Sequence, residues 1–278
     1  MAVQLKKDTF APLYQDEFRW YIISRFLYIM ALRMVATVVA YKLFQLTQSS
    51  LAIGLVGLSE FIPVFSLALY AGHVIDKSDK RNLLLKGILF YSTCVIALIF
   101  ITSPSIEKKL STTALEIGFY TIIFFTGIIR AFAGPTSHAI LAQLVPRNML
   151  QYAANISSST WLIASVIGHA SAGFFIAGFG VNTTFIIILF YVIIASYMLS
   201  KVSKKSVAEN KKELPAWESV KEGLRYVVSN KILLGAISLD LFAVLFGGAV
   251  ALIPEFANKV LAVGPIGFGW LNAASDIG

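Results

Sequence analysis

Charge is what this sequence has least of. Only 14% of its 278 residues are Asp, Glu, Lys or Arg, against about 25% in an ordinary soluble domain. Hydrophobic residues make up 57%, and mean hydropathy is +0.76. One aqueous core cannot hide so much apolar surface, which excludes a soluble globular fold. Cysteine is nearly absent as well. Cys94 stands alone inside the apolar run YSTCVIALIF, so neither an internal disulfide nor a paired-cysteine metal site is possible. The sequence has no P-loop, no Gly-x-Ser-x-Gly and no His-Glu-x-x-His, so no nucleotide, cofactor, metal or enzymatic chemistry is indicated. Its first twenty residues are polar and charged, unlike a cleavable signal peptide, so the first apolar stretch is expected to stay in the protein.

What the chain does have is apolar runs near the ~20 residues that a bilayer-spanning helix needs. They lie at roughly 20–46, 51–74, 83–103, 114–140, 153–179, 182–200 and 231–254, and an eighth starts near Ile266. Short polar turns between them fit antiparallel helix neighbours. The tail and alternate loops hold sixteen Lys and Arg residues, and the opposite loops hold three, Lys108, Lys109 and Lys259. This asymmetry places the N-terminus in the cytoplasm. It also accounts for the net charge of +8 without nucleic acid. The expected organisation is a six-helix bundle over 1–200, a cytoplasmic linker over 201–230, and the start of a second bundle over 231–278. The linker carries Trp217, Val220, Leu224, Val227 and Val228 at helical spacing, which suits the membrane surface. The chain reads as a piece of a protein of two six-helix halves, whose missing half is a required partner.

Ionisable groups within a span are costly and so are functional candidates. Glu60 and Asp240 each lie nine residues into a run, ~13 Å deep in a ~30 Å core. Arg33 and Arg130 lie on either side of the middle, ~20 Å from their entry ends. Two acids and two bases at this depth could balance one another around a water-filled cavity. In the fourth run, Glu116, Tyr120, Gly127, Arg130 and Gly134 share an ~80° sector. The fifth repeats the pattern with Asn155, Ser158, Ser159, Ser165, His169 and Gly173. Both faces should point into the bundle.

The turn after the second run reads Gly72-His73-Val74-Ile75-Asp76-Lys77-Ser78-Asp79-Lys80-Arg81. It resembles the signature loop of the major facilitator superfamily at Gly72, Asp76, Lys77, Lys80 and Arg81. In physical terms, Gly72 permits close helix contact, Asp76 can meet the N-terminal end of a neighbouring helix, and the cluster can act as a breakable latch. Ala71-Gly72-His73, the Arg130 to Pro135 stretch, Leu144-Val145-Pro146-Arg147 and Leu239 to Val250 resemble the branch containing enterobactin-type siderophore exporters. The resemblance runs from about Phe18 to Gly278. It implies an all-α, twelve-helix inner-membrane transporter exporting a siderophore-like or drug-like small molecule in exchange for protons. It also implies a cavity role for Arg130. One position departs from the family: Gly168-His169 replaces the Gly-Pro usual in antiporters, and histidine does not kink a helix. An importer or facilitator on the same fold, and a non-transporting sensor or remnant, remain open readings.

Overall fold

The computed structural model describes residues 9–205, 216–246 and 251–277, side chains at 216, 219, 220, 222 and 240–246 excepted. Four long helices follow the first four apolar runs: α1 Asp16–Thr47, α2 Ser50–Lys77, α3 Lys80–Ile101 and α4 Thr112–Leu144. Each starts ahead of its apolar stretch, because polar residues open the helix before the apolar run begins. Asp79 caps α3 by accepting from the backbone N–H groups of Arg81 and Asn82 at 3.0 and 3.3 Å. Ser111 caps α4 through the N–H of Ala114 at 3.2 Å. Both satisfy donors that a helix start leaves unpaired.

The fifth and sixth apolar runs lie on one stretch from Leu150 to Ser200 that is helical except at Gly180, where φ is 77° and ψ 172°. Fifty-one residues of helix would run ~75 Å, far more than one bilayer crossing. The chain instead folds back at Gly180, giving α5 (150–179) and α6 (181–200) with no separate loop between them. Only glycine occupies this backbone region without strain. Gly180→Ala should therefore lower stability by about 1–3 kcal/mol, read as an earlier thermal unfolding transition in detergent. Gly178, with open space around it, is the neutral control when changed to Ala. An unshifted transition in Gly180→Ala would mean that the turn does not depend on this conformation.

Cross-helix hydrogen bonds set the direction of each element. Near the start of α1, Tyr21 donates to the Ser137 carbonyl on α4 at 2.6 Å, and Ser24 to the Ala195 carbonyl on α6 at 2.8 Å. At the other end, Asn182 of α6 donates to the Ile99 carbonyl of α3 at 2.7 Å. The starts of α1 and α3 thus stand level with the ends of α4 and α6, as alternating antiparallel packing requires. The core lies between α1, α3, α5 and α6, around Phe18, Met34, Leu43, Ile88, Phe185 and Ile188. Intrahelical hydroxyls such as those of Thr136, Ser137, Thr160 and Ser196 bond to carbonyls one turn back, which satisfies these groups where water is scarce. Large apolar residues on the outside, Phe65 and Leu69 of α2 and Phe190 of α6 among them, suit lipid contact.

Helices α7 (Ala216–Ser229) and α8 (Lys231–Phe246) follow, then a short helical turn over Ile253–Glu255 and α9 (Pro265–Ile277). Residues 206–215, the first part of the expected linker, lie outside those described. On α7, Trp217, Leu224 and Val228 are exposed. Helix α9 packs on α5. Near it, Glu255 accepts from Ser50 at 2.5 Å and Lys259 at 2.9 Å. The hydrogen bond from Ser50, backed by Lys259, holds the Glu255 carboxyl below the usual carboxylate range.

Candidate functional site

Three glycine contacts bring the charged groups together. A Cβ on Gly127 would stand 2.5 Å from the Glu60 carbonyl oxygen and 2.6 Å from Pro63 Cγ. Helices α2 and α4 therefore meet backbone to backbone at this level, with the Pro63 ring alongside. Arg130, one helical turn from Gly127, reaches the Glu60 carboxylate at 2.5 Å. On α5, a Cβ on Gly168 would lie 2.7 Å from the Met30 carbonyl oxygen and 2.9 Å from Arg33 Cβ, which sets His169 against α1. Farther along, one on Gly173 would lie 2.5 Å from the Pro265 carbonyl oxygen and 3.0 Å from Gly269 Cα. That contact seats α9 antiparallel on α5, so Asp276, two turns beyond Gly269, arrives beside Ser165 and His169. Small residues at helix crossings are the usual means of close approach in membranes.

The result is two ion-pair centres on one cavity of about 570 Å³. The first is Glu60–Arg130, with side chains 31% and 46% exposed. A pair so open to cavity water adds only about 0–1 kcal/mol to stability. Packing alone is therefore a weak reason for two charges at this depth in an apolar bundle, whereas function is a strong one.

The second centre is drier. Asp276 lies 3.9 Å from the Arg33 guanidinium and 3.4 Å from His169 Nε2, and accepts a hydrogen bond from the Ser165 hydroxyl. His169 Nδ1 is 2.6 Å from the Thr37 hydroxyl, which also lies 3.1 Å from the Arg33 carbonyl. That hydroxyl has one hydrogen. Donated to the carbonyl, it leaves its oxygen to accept from Nδ1–H, and a further proton is then needed between Nε2 and Asp276. Donated to Nδ1, it leaves Nε2–H facing the carboxylate. The centre can thus hold one proton more or fewer with its heavy atoms in place. Arg33 also stacks over the Trp161 ring at 5.0 Å, a cation–π contact. The described residues contain no group of three or more His, Cys, Asp or Glu suited to a metal.

Glu60, Arg130, Arg33 and His169 all line this cavity. The side chain of Asp240, on α8, lies outside those described. Glu116, near the start of α4, and Asn155, exposed on α5 beside Gln151, line neither this cavity nor a smaller one next to it. Asp276, Thr37 and Trp161 were not singled out from the sequence. Asp276 sits ten residues past Ile266, within one residue of the depth count that selected Glu60.

At the signature turn, open space lies where a side chain on Gly72 would stand, so the described residues make no close helix contact there. Asp76 is exposed, and Asp79 caps the N-terminal end of α3 beside it. Arg81 donates to the Ser200 and Val202 carbonyls at 2.6 and 2.9 Å, a cation on the negative end of α6. Lys80, only 8% exposed, donates to the Asp76 carbonyl at 3.0 Å, ending α2 in the same manner. Lys77 is exposed.

Comparison with known proteins gives two matches. A family model described as transmembrane secretion effector matches residues 7–278. An uncharacterised MFS-type transporter of Bacillus subtilis (strain 168), YfiS, is 24% identical over 267 residues, covering 88% of this chain and 59% of its own length. The chain therefore spans about three-fifths of the length of that curated relative.

Proposed function

The chain belongs to the transmembrane secretion effector family of the major facilitator superfamily, and from that premise we propose that its full-length protein exports a small organic molecule, siderophore-like or drug-like, in exchange for protons. The family makes it a multi-pass membrane transporter rather than an enzyme. The finer reading rests on one observation, the cavity that carries Glu60–Arg130 on one wall and Asp276–His169–Arg33 on another. In this reading Glu60 takes and releases the driving proton, and Arg130 pairs with it and answers to substrate charge. The protein has twelve helices in two halves, of which 1–200 is the first, 201–230 the linker and 231–278 the opening of the second. It lies in the inner membrane with the N-terminus in the cytoplasm, following the distribution of Lys and Arg. No cofactor takes part. Its partners are the substrate, protons, lipid and the remainder of the second half, which supplies the facing wall of the cavity.

Support for alternating access comes from the end of the bundle remote from the N-terminus. There α9 closes on α5 at Gly173 and Gly269, and Phe268 packs on Tyr41 with ring centroids 5.8 Å apart. The test is uptake of a panel of catecholates, aromatic acids and organic cations into everted membrane vesicles containing the full-length protein. Energised vesicles, acidic inside, should accumulate at least one compound several-fold over vesicles lacking the protein, and a protonophore should abolish the difference. Accumulation that survives the protonophore overturns proton exchange. Uptake confined to right-side-out vesicles makes the protein an importer.

A further inference from the structure

Beside the main cavity lies a second, of about 330 Å³, toward the start of α1 and the end of α4. Its charge is one-sided. Arg25, Arg130 and His138 line it, and no Asp or Glu does. Arg130 is already paired with Glu60 at 2.5 Å. Arg25 lies beside the Tyr21 hydroxyl, yet among the described residues it forms no salt bridge, and its Nε is buried without a hydrogen-bond partner. The hydroxyl of Tyr28, on the same wall, is likewise buried and unpartnered, and Tyr28 is 6% exposed. Arg25 is partly buried, and a guanidinium leaving bulk water gains from a counter-charge. From α5, Ser158 and Trp161 line the cavity, the latter supplying an indole ring. A volume of this size falls at the lower end of sites that hold drug-sized ligands.

We propose that this cavity is a binding subsite for a small organic anion. Its carboxylate, sulfonate or similar group sits on the Arg25 guanidinium with His138 alongside, and its planar apolar body lies against Trp161. An acidic group supplies the counter-charge that Arg25 lacks among the described residues. A guanidinium offers parallel donors matched to a carboxylate, and an aromatic body gains contact area on Trp161. An organic cation would meet two arginines and is rejected. The proposal deepens the export reading by naming the substrate's charge class, and it rests on that reading only for the direction in which the anion moves.

The experiment is a charge series on one skeleton: 2-naphthoate, 2-naphthamide and 2-naphthylmethylammonium, titrated calorimetrically into the full-length protein in detergent. The naphthoate should bind at least tenfold more tightly than the amide, and the ammonium should not bind. In Arg25→Gln the naphthoate affinity should fall tenfold or more, and Arg25→Lys should recover part of it. Equal binding of naphthoate and amide, no binding of naphthoate, or an unchanged affinity in Arg25→Gln overturns the subsite. If Arg25→Gln does not fold, the charge series on the native protein still decides. Naphthoate binding without any proton-dependent flux would leave the subsite standing and remove the export reading. Flux of neutral or cationic compounds without naphthoate binding would do the reverse.

Discussion

Glu60→Gln in the full-length protein is expected to abolish accumulation of substrate driven by a pH gradient while sparing downhill exchange. Glutamine mimics the protonated acid in size and hydrogen bonding but cannot cycle its proton. In the native protein Glu60 meets Arg130 at 2.5 Å. A proton on that carboxylate removes the charge Arg130 pairs with, and this links the proton to whatever the arginine next attracts. In Glu60→Gln, Arg130 is released permanently, so binding of an anionic substrate should hold or tighten. Arg130→Lys keeps the charge but loses the fork, and should weaken transport without unfolding. The measurement is flux in proteoliposomes with and without an imposed gradient. If Glu60→Gln still concentrates substrate, the coupling proton resides elsewhere. Asp276, which meets both His169 and Arg33, is then the next carboxylate to change.

The second large effect concerns packing. Gly168→Val should leave little folded protein. Its first side-chain carbon alone would stand 2.7 Å from the Met30 carbonyl and 2.9 Å from Arg33 Cβ. The first of these is backbone that cannot rotate away. Overpacking of this kind costs about 1–3 kcal/mol and at times more, and α1 and α5 both contribute to the core. Gly54→Val and Gly57→Val on α2, where nothing lies within 4 Å, should be tolerated. Fluorescence-detected size-exclusion profiles of tagged variants would show this. A symmetric peak of native height for Gly168→Val would mean that the two helices separate freely.

Apolar runs alone located the long helices to within a few residues, because a span has to satisfy its backbone internally and announces itself by length and composition. The break between the fifth and sixth runs was legible too, at GFGVN; only coordinates show the reversal centred on one glycine. Among the charges, Glu60, Arg130, Arg33 and His169 were visible as ionisable residues in apolar runs. Their partners were not, since depth along a helix says nothing of which neighbour it meets. Asp276 was missed because its run is seen over only thirteen residues, 266–278. Arg25 was missed because it lies so near the start of α1 that it resembles a surface anchor. The glycines that bring these groups together could not be ranked from sequence. Gly72 resembles a family motif and has open space beside it, whereas Gly168 and Gly173 make the tight contacts.

The meeting of Gly173 with Gly269 bears on how fast such a joint can turn over. Interfaces built from long side chains must freeze rotamers each time they form, at ~0.5–2 kcal/mol of lost entropy for each flexible chain. Two facing glycines have no rotamers to freeze. At that point the α5–α9 crossing can therefore part and re-form without repeating that entropic toll, which falls instead on the side chains around it, Phe174 against Trp270 at 6.4 Å between ring centroids and the cluster of Ser165, His169 and Asp276. A seam that is bare backbone at its centre concentrates the cost of closing in a few side chains rather than spreading it along the whole surface.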